Sequence, residues 1–186
     1  MKTDDIVLAV IDHLNGHKIP YMLVGSLATN FYCVPRSTED GDIVVEADLV
    51  GIASAITRER LSIHFDRQLA FESVTATRKL VLQAEGHGFE IELFQLSDDE
   101  HDRMRFSRRH QVQTMDRSVW VATLEDMIVT KLRWSRHAGR EKDISDARNL
   151  IGVQRKFADW PYVESWCDRH GTRELLDKLR RESMAE

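Results

Sequence analysis

Asp40-Gly41-Asp42 is the segment whose residue types most plainly could do chemistry. In an extended stretch, residues two apart point to the same side. Two carboxylates so placed repel each other unless a cation lies between them. An all-oxygen donor set of this kind suits Mg²⁺, with Mn²⁺ as the alternative, and Mg²⁺ also favours phosphate oxygens. Upstream, Gly25-Ser26 follows the apolar run Tyr21–Val24 and opens a helical pattern. Backbone N–H groups at a strand-to-helix turn can bind phosphate, and glycine lets the phosphate come close. Far downstream, Glu92 supplies a third carboxylate on a predicted strand. Glu90 has the same strand parity, so alternation alone does not choose between them. In a two-metal displacement one ion binds a triphosphate and the other lowers the pKa of an attacking hydroxyl. A third carboxylate then bridges to the second ion or accepts the proton.

Each feature also has an ordinary structural explanation. Asp-x-Asp also describes an acidic loop before a strand, Gly-Ser a plain turn, and Glu92 the solvated face of an edge strand.

The elements that must position these residues follow from hydrophobic period and turn residues. Helical spacing over 4–15 stops at Gly16. A short buried strand is predicted over Tyr21–Val24. A second helix is predicted from Gly25-Ser26 to Pro35, with Ser26 at its N-cap and Cys33 on its apolar face. A strand follows over Asp42–Glu46, then a helix over 47–59. Residues 72–96 read as a hairpin, Lys79–Ala84 and Phe89–Gln95 flanking the turn Glu85-Gly86-His87-Gly88. Residues 98–109 are charged and partly helical, and Val119–Ala122 is a short strand or an extended lead into a helix. Thr123-Leu-Glu-Asp126 has the form of a helix N-terminus. Further helices are expected over 141–153, 159–168 and 172–183. The division is an α/β part, residues 1–117, followed by a helical part, residues 118–186, packed on it.

Composition sets the outer limits. The chain has 186 residues, 42% hydrophobic and 31% charged, enough for a packed core without disulfides. No apolar run reaches the roughly 20 residues of a membrane span, and the N-terminus lacks a signal-peptide pattern, so a cytoplasmic protein with no membrane partner is expected. The formal net charge of −5 argues against an avid, nonspecific nucleic-acid binder. Cys33 and Cys167 are expected to be reduced, and no Cys/His group has zinc spacing. The eight histidines show no pairing into a ligand set. Two basic clusters could draw in an anionic substrate or could be solvated helix faces: Arg103, Arg105, Arg108, Arg109 and His110, then Lys131, Arg133, Arg136, His137, Arg140 and Lys142. Trp134, Trp160 and Trp166 read as packing for the C-terminal helices.

The order Gly25-Ser26, Arg36-x-Thr38-x-Asp40-x-Asp42, hydrophobic run, Glu92-Leu93-Phe94 resembles the nucleotidyltransferase superfamily. It is most similar to the minimal nucleotidyltransferases and the AbiEii-like toxins of toxin–antitoxin systems. Val121–Leu132 and Arg140–Asp146 resemble the same family's helical segment. The resemblance covers roughly residues 5–150. It implies an α+β fold: a nucleotidyltransferase-type mixed sheet flanked by helices, with a C-terminal helical region. It implies a Mg²⁺-dependent enzyme moving a nucleoside monophosphate from a triphosphate to a hydroxyl acceptor, such as a tRNA end, a protein or a small molecule. A catalytically inactive partner in a toxin–antitoxin pair, binding nucleotide or protein only, is the alternative. Residue by residue, Asp40, Asp42 and Glu92 take the metal and catalytic positions, and Gly25 and Ser26 the phosphate turn. Arg36 and Thr38 match the signature ahead of the acids, as phosphate contacts or loop supports. Lys131 matches a catalytic lysine reaching the nucleotide phosphates, and Asp143 an acid that could orient it. Ser26 stands where the family usually has a second glycine, and Glu92 where Asp is commoner.

Overall fold

The computed structural model describes residues 3–60, 62–86, 88–114 and 116–185. His87, part of the predicted hairpin turn, lies outside the described residues. The chain forms two compact units. One comprises Met1–Leu27 and Ser37–Val121; the other comprises Ala28–Arg36 and Ala122–Glu186.

The first unit is built on a mixed sheet. Its strands are β1 (Tyr21–Val24), β2 (Asp40–Val45), β3 (Ile63–Phe65), β4 (Ala70–Glu72), β5 (Thr77–Ala84), β6 (Glu90–Gln95), β7 (His110–Thr114) and β8 (Arg117–Val121). Their order is β3-β5-β6-β2-β1-β8-β7, with β4 also paired to β5. β2 runs parallel to β6 and β1 parallel to β8, and the remaining pairs are antiparallel. Helices α1 (Thr3–Gly16) and α3 (Leu49–Glu59) belong to this unit, with α3 packed against α1, β3, β5 and β6. Helix α4 (Glu100–Arg108) begins at an Asp99 N-cap, whose carboxylate accepts from the Asp102 N–H.

Strand parity sorts the side chains. Tyr21, Leu23, Ile43, Val45, Leu80, Leu82, Ile91 and Leu93 alternate along four adjacent strands, and all are buried. Gly41 lies on this apolar side: a Cβ there would stand 2.9 Å from both Ile91 Cδ1 and Leu27 Cδ1. The glycine between the two aspartates therefore leaves room for the core to close beneath them.

The second unit is helical: α5 (Leu124–Ala138), α6 (Glu141–Gln154), α7 (Trp160–His170) and α8 (Arg173–Ala185). Thr123 caps α5, its hydroxyl accepting from the Asp126 N–H, and Gly139 ends it in the left-handed region at φ 60°. α5 packs on α6 and α7, and both of these pack on α8. Segment 28–36 is tied in by Tyr32, whose hydroxyl donates to Ala122 O at 2.5 Å and whose carbonyl accepts from Gln154 Nε2 at 2.5 Å. Among the described residues no helix is long and apolar enough to cross a membrane.

Several boundaries depart from the sequence expectation. Helix α2 covers only Gly25–Thr29, not the stretch to Pro35. The Asn30 side chain explains the stop: its amide donates to Arg36 O at 2.9 Å and accepts from Arg36 N at 3.1 Å, closing a loop where the helix would have continued. Cys33 accordingly lies outside a helix and is half-buried. β2 begins two residues earlier than predicted. Strands β3, β4 and β7 were not anticipated, since each is short and only weakly alternating. Both cysteines are free thiols. Burial raises both pKa values, that of Cys167 to about 11, so neither is poised as a nucleophile.

Leu93 is fully buried at the middle of β6. Leu93→Ala should destabilise the first unit by about 2–5 kcal/mol, read as a lower urea midpoint with an unchanged slope.

Candidate active site

The pairing of β2 with β6 brings distant acids together. Parallel register sets Asp42 beside Glu92 and Asp40 beside Glu90. Residues side by side in register share a face, and Asp40 and Asp42 share one as well. Four carboxylates thus form a block on the side of the sheet opposite the apolar core, about 4.8 Å apart across the strands and roughly 6.6 Å along them at Cα. All four residues are half-buried.

Each acid is held. The Thr38 hydroxyl donates to Asp40 Oδ1 at 2.7 Å, so Thr38 fixes the rotamer of the first aspartate. Lys79, on neighbouring β5, donates from Nζ to Glu92 Oε1 at 2.6 Å. It reaches diagonally, since Val81 is the residue in register with Glu92 and Lys79 is opposite Phe94. Its ammonium stands 5.7 Å from the Phe94 ring centroid. Gln83 Nε2 donates to Glu90 Oε1 at 2.6 Å.

Gly25 explains the turn. It lies immediately after Val24, which pairs with Asp42, and adopts φ 63°. A Cβ at Gly25 would fall 1.7 Å from Asp42 Oδ2. Backbone and carboxylate meet where no side chain can fit, so glycine is required by conformation and by space. Ser26 is buried beside it. An all-oxygen acid set facing a bare glycine turn fits a hard divalent cation such as Mg²⁺ or Mn²⁺. Among the described residues, the oxygens of Asp40, Asp42 and Glu92 do not all fall within 4.8 Å of one another.

The remaining predicted site residues form a second group, within the second unit. Arg36 grips Asp146 with two nitrogens, Nε to Oδ1 at 3.1 Å and Nη2 to Oδ2 at 3.0 Å. Lys131 Nζ pairs with Asp143 Oδ1 at 2.9 Å and Asp146 Oδ2 at 2.8 Å. The Lys131, Asp143 and Asp146 side chains are 9%, 8% and 3% exposed, so this is an interior network. Burial pulls the Lys131 pKa down, but the two aspartates outweigh it and the net shift is upward.

Sequence reasoning missed Asp146, which joins Arg36 to Lys131, although its i+3 spacing from Asp143 puts both on one helix face. It missed Lys79 too, whose only signal is its parity in β5. The reading of the histidines is corrected: His13 and His17, four apart, meet Glu59 across α1 and α3. Members of the basic clusters serve packing. Arg105 is buried against Asp102 at 2.8 Å, and Arg109 stacks 4.0 Å from the Phe106 ring and 5.0 Å from the Trp120 ring. Arg136 donates to His170 O, and Arg140 stands over Trp134.

The architecture is that of the nucleotidyltransferase fold. The chain is similar to the crystal structure of ANT(2'')-Ia in complex with adenylyl-2''-tobramycin, with TM-score 0.65, 13% identity and coverage of 91% of this chain and 97% of that one. It is similar to an antigenic nucleotidyltransferase-like protein from Paracoccidioides brasiliensis (TM-score 0.55, 18% identity, 94% and 89% coverage). It is also similar to the lincosamide antibiotic adenylyltransferase LnuA, lincomycin-bound (TM-score 0.51, 12% identity, 79% and 95% coverage). No family model matches this chain, and no curated protein does.

Asp146→Ala leaves Lys131 and Arg36 one carboxylate short in a buried setting. It should cost about 3–5 kcal/mol, measured by urea unfolding followed through tryptophan fluorescence. Because the folded Lys131 pKa is raised, its contribution to stability is complete below the ordinary lysine value of 10.5 and is lost as pH climbs through the higher folded value. The difference between wild type and variant should therefore narrow only at strongly alkaline pH.

Proposed function

We propose that this chain is a nucleotidyltransferase that moves a nucleoside monophosphate from a triphosphate to the hydroxyl of a small molecule. The observation carrying this is the register of β2 with β6, which sets Asp42 beside Glu92 with Asp40 on the same face and Gly25 against Asp42. Asp40 and Asp42 would hold a divalent cation, with Glu92 as third acid. When bound, such a cation neutralises triphosphate charge and acidifies the attacking hydroxyl. Thr38 keeps Asp40 turned toward that position. The Gly25-Ser26 turn lies next to Asp42 without an intervening side chain, so phosphate oxygens can approach the backbone there. Glu92, oriented by Lys79, accepts the proton as the acceptor oxygen bonds to the α-phosphorus. The bond from that phosphorus to the bridging oxygen breaks, and pyrophosphate leaves.

Arg36, Lys131 and Asp143 are assigned a positioning role. The burial of Lys131 and Asp143 and the engagement of both cations by aspartates support this over direct phosphate contact.

Two considerations favour a small-molecule acceptor over RNA. The net charge is −5, and much of the basic cluster charge is used in packing. The two neighbours in complex with adenylyl-2''-tobramycin and with lincomycin match this chain over nearly their whole lengths, 97% and 95%.

The test is incubation of the purified chain with each α-labelled nucleoside triphosphate, Mg²⁺ and separate pools of small molecules, tRNA and protein. Label should pass to a small molecule, with release of pyrophosphate. Asp40→Asn and Asp42→Asn should each lower the rate by at least ~10²-fold, and Lys79→Met should lower it less. Full transfer by either aspartate variant would remove the mechanism. Nucleotide binding without transfer to any pool would favour the inactive toxin–antitoxin partner, and label on tRNA would reassign the acceptor.

A further inference from the structure

We infer that His13, His17 and Glu59 form a second cation site, selective for a borderline transition metal such as Zn²⁺, distinct from the carboxylate face of the sheet. One ligand atom from each of the three lies within 4.8 Å of the other two. Their positions come from helix geometry. His13 is in the last turn of α1 and His17 is one turn on, its N–H still bonded to His13 O at 3.1 Å, so the two rings share a side of the helix with centroids 4.2 Å apart. Glu59 is the final residue of α3, which packs on α1.

The protonation pattern favours a metal. His17 Nδ1 lies 3.0 Å from His13 O. A carbonyl can only accept, so Nδ1 carries the proton and Nε2 keeps its lone pair. Histidines that bind metal characteristically spend their other nitrogen on such a carbonyl. His13 Nδ1 lies 2.9 Å from Glu59 Oε2. A tetrahedral Zn²⁺ site with bonds of about 2.0–2.1 Å separates its ligands by about 3.4 Å. An ion can therefore enter between imidazole and carboxylate with a small side-chain shift, taking the place of the proton they share, which moves to the other ring nitrogen or to solvent. The His13 side chain is 3% exposed and that of Glu59 is 50%, so one ligand is anchored while the site stays open to water as a fourth ligand.

The chemistry separates this site from the acids of the sheet. Two imidazoles and one carboxylate suit Zn²⁺, Co²⁺, Ni²⁺ or Cu²⁺, whereas an all-carboxylate set suits Mg²⁺ and Mn²⁺. The ion would join the end of α1 to the end of α3 across a long stretch of chain, so it would act as a clamp on the first unit.

The experiment titrates the full chain, freed of any histidine tag, with Co²⁺ and then Zn²⁺ in excess Mg²⁺. The readouts are visible d–d absorption and the melting temperature. One equivalent of Co²⁺ should give a saturable tetrahedral-type spectrum that Zn²⁺ displaces, and Zn²⁺ should raise Tm. His17→Ala and Glu59→Gln, both at exposed positions, should weaken binding at least ~10-fold and abolish the Tm rise. Asp40→Asn with Asp42→Asn should leave both signals intact. Absence of saturable binding, binding unchanged in His17→Ala and Glu59→Gln, or loss of the signal in the aspartate variants would each overturn the assignment. None of these outcomes depends on nucleotide transfer.

Discussion

Parallel pairing of β2 with β6 is the constraint on which the first unit depends. A parallel pair cannot be made by a tight turn; it needs a crossover. Here the chain between the two strands supplies α3 and then β3, β4 and β5 before returning. The crossover is what allows carboxylates fifty residues apart to stand side by side, Asp42 with Glu92. A slip of one residue would turn Glu92 into the apolar core and Leu93 outward. That slip is opposed by the burial of Ile43, Val45, Ile91 and Leu93 on the reverse face. The hydrophobic side thus fixes the register, and the register fixes the acids.

The second unit handles charge differently. Its ion network is interior, and an interior ion pair is weak evidence of stability, because desolvation offsets much of the attraction. Its consequence is positional. Asp146 accepts from both Arg36 and Lys131, so the loop carrying Arg36 is tied to α5 and α6 through one carboxylate. Removing any member leaves a buried charge short of a partner, which makes the arrangement nearly all-or-none.

Much of this was legible in the sequence, and the failures have physical causes. The Asp-Gly-Asp pair and the Gly25 turn were proposed from strand period and carboxylate chemistry, both local properties, whereas the choice of Glu92 over Glu90 came from the family resemblance. The four C-terminal helices follow from apolar period, the Thr123 cap and Gly171, while the mixed sheet was implied by the family resemblance. The end of α2 was misread because it is set by a side-chain-to-backbone loop from Asn30 to Arg36, which no periodicity records. Lys79 and Asp146 were missed because their meaning lies in a partner on another element. Within the basic clusters, Arg105 and Arg109 look like solvated charge in a row of letters, yet one is buried on an aspartate and the other lies flat on aromatic rings.

The same lesson bears on the histidines. In sequence, His13 is one polar position on an amphipathic helix, His17 falls just past its Gly16 stop, and Glu59 is the unremarked last residue of another helix. Packing of α1 on α3 makes them a group of three, with one proton assigned by a carbonyl and another shared with a carboxylate. The first unit therefore holds two donor sets built on different principles. The acids of the sheet stand side by side because strand register places them so. The imidazoles are already close, because helical turns and a helix end place them so. Under the two proposals, ligand softness separates the ions that the two sets would take: oxygen donors alone suit Mg²⁺, and imidazoles with one carboxylate suit Zn²⁺.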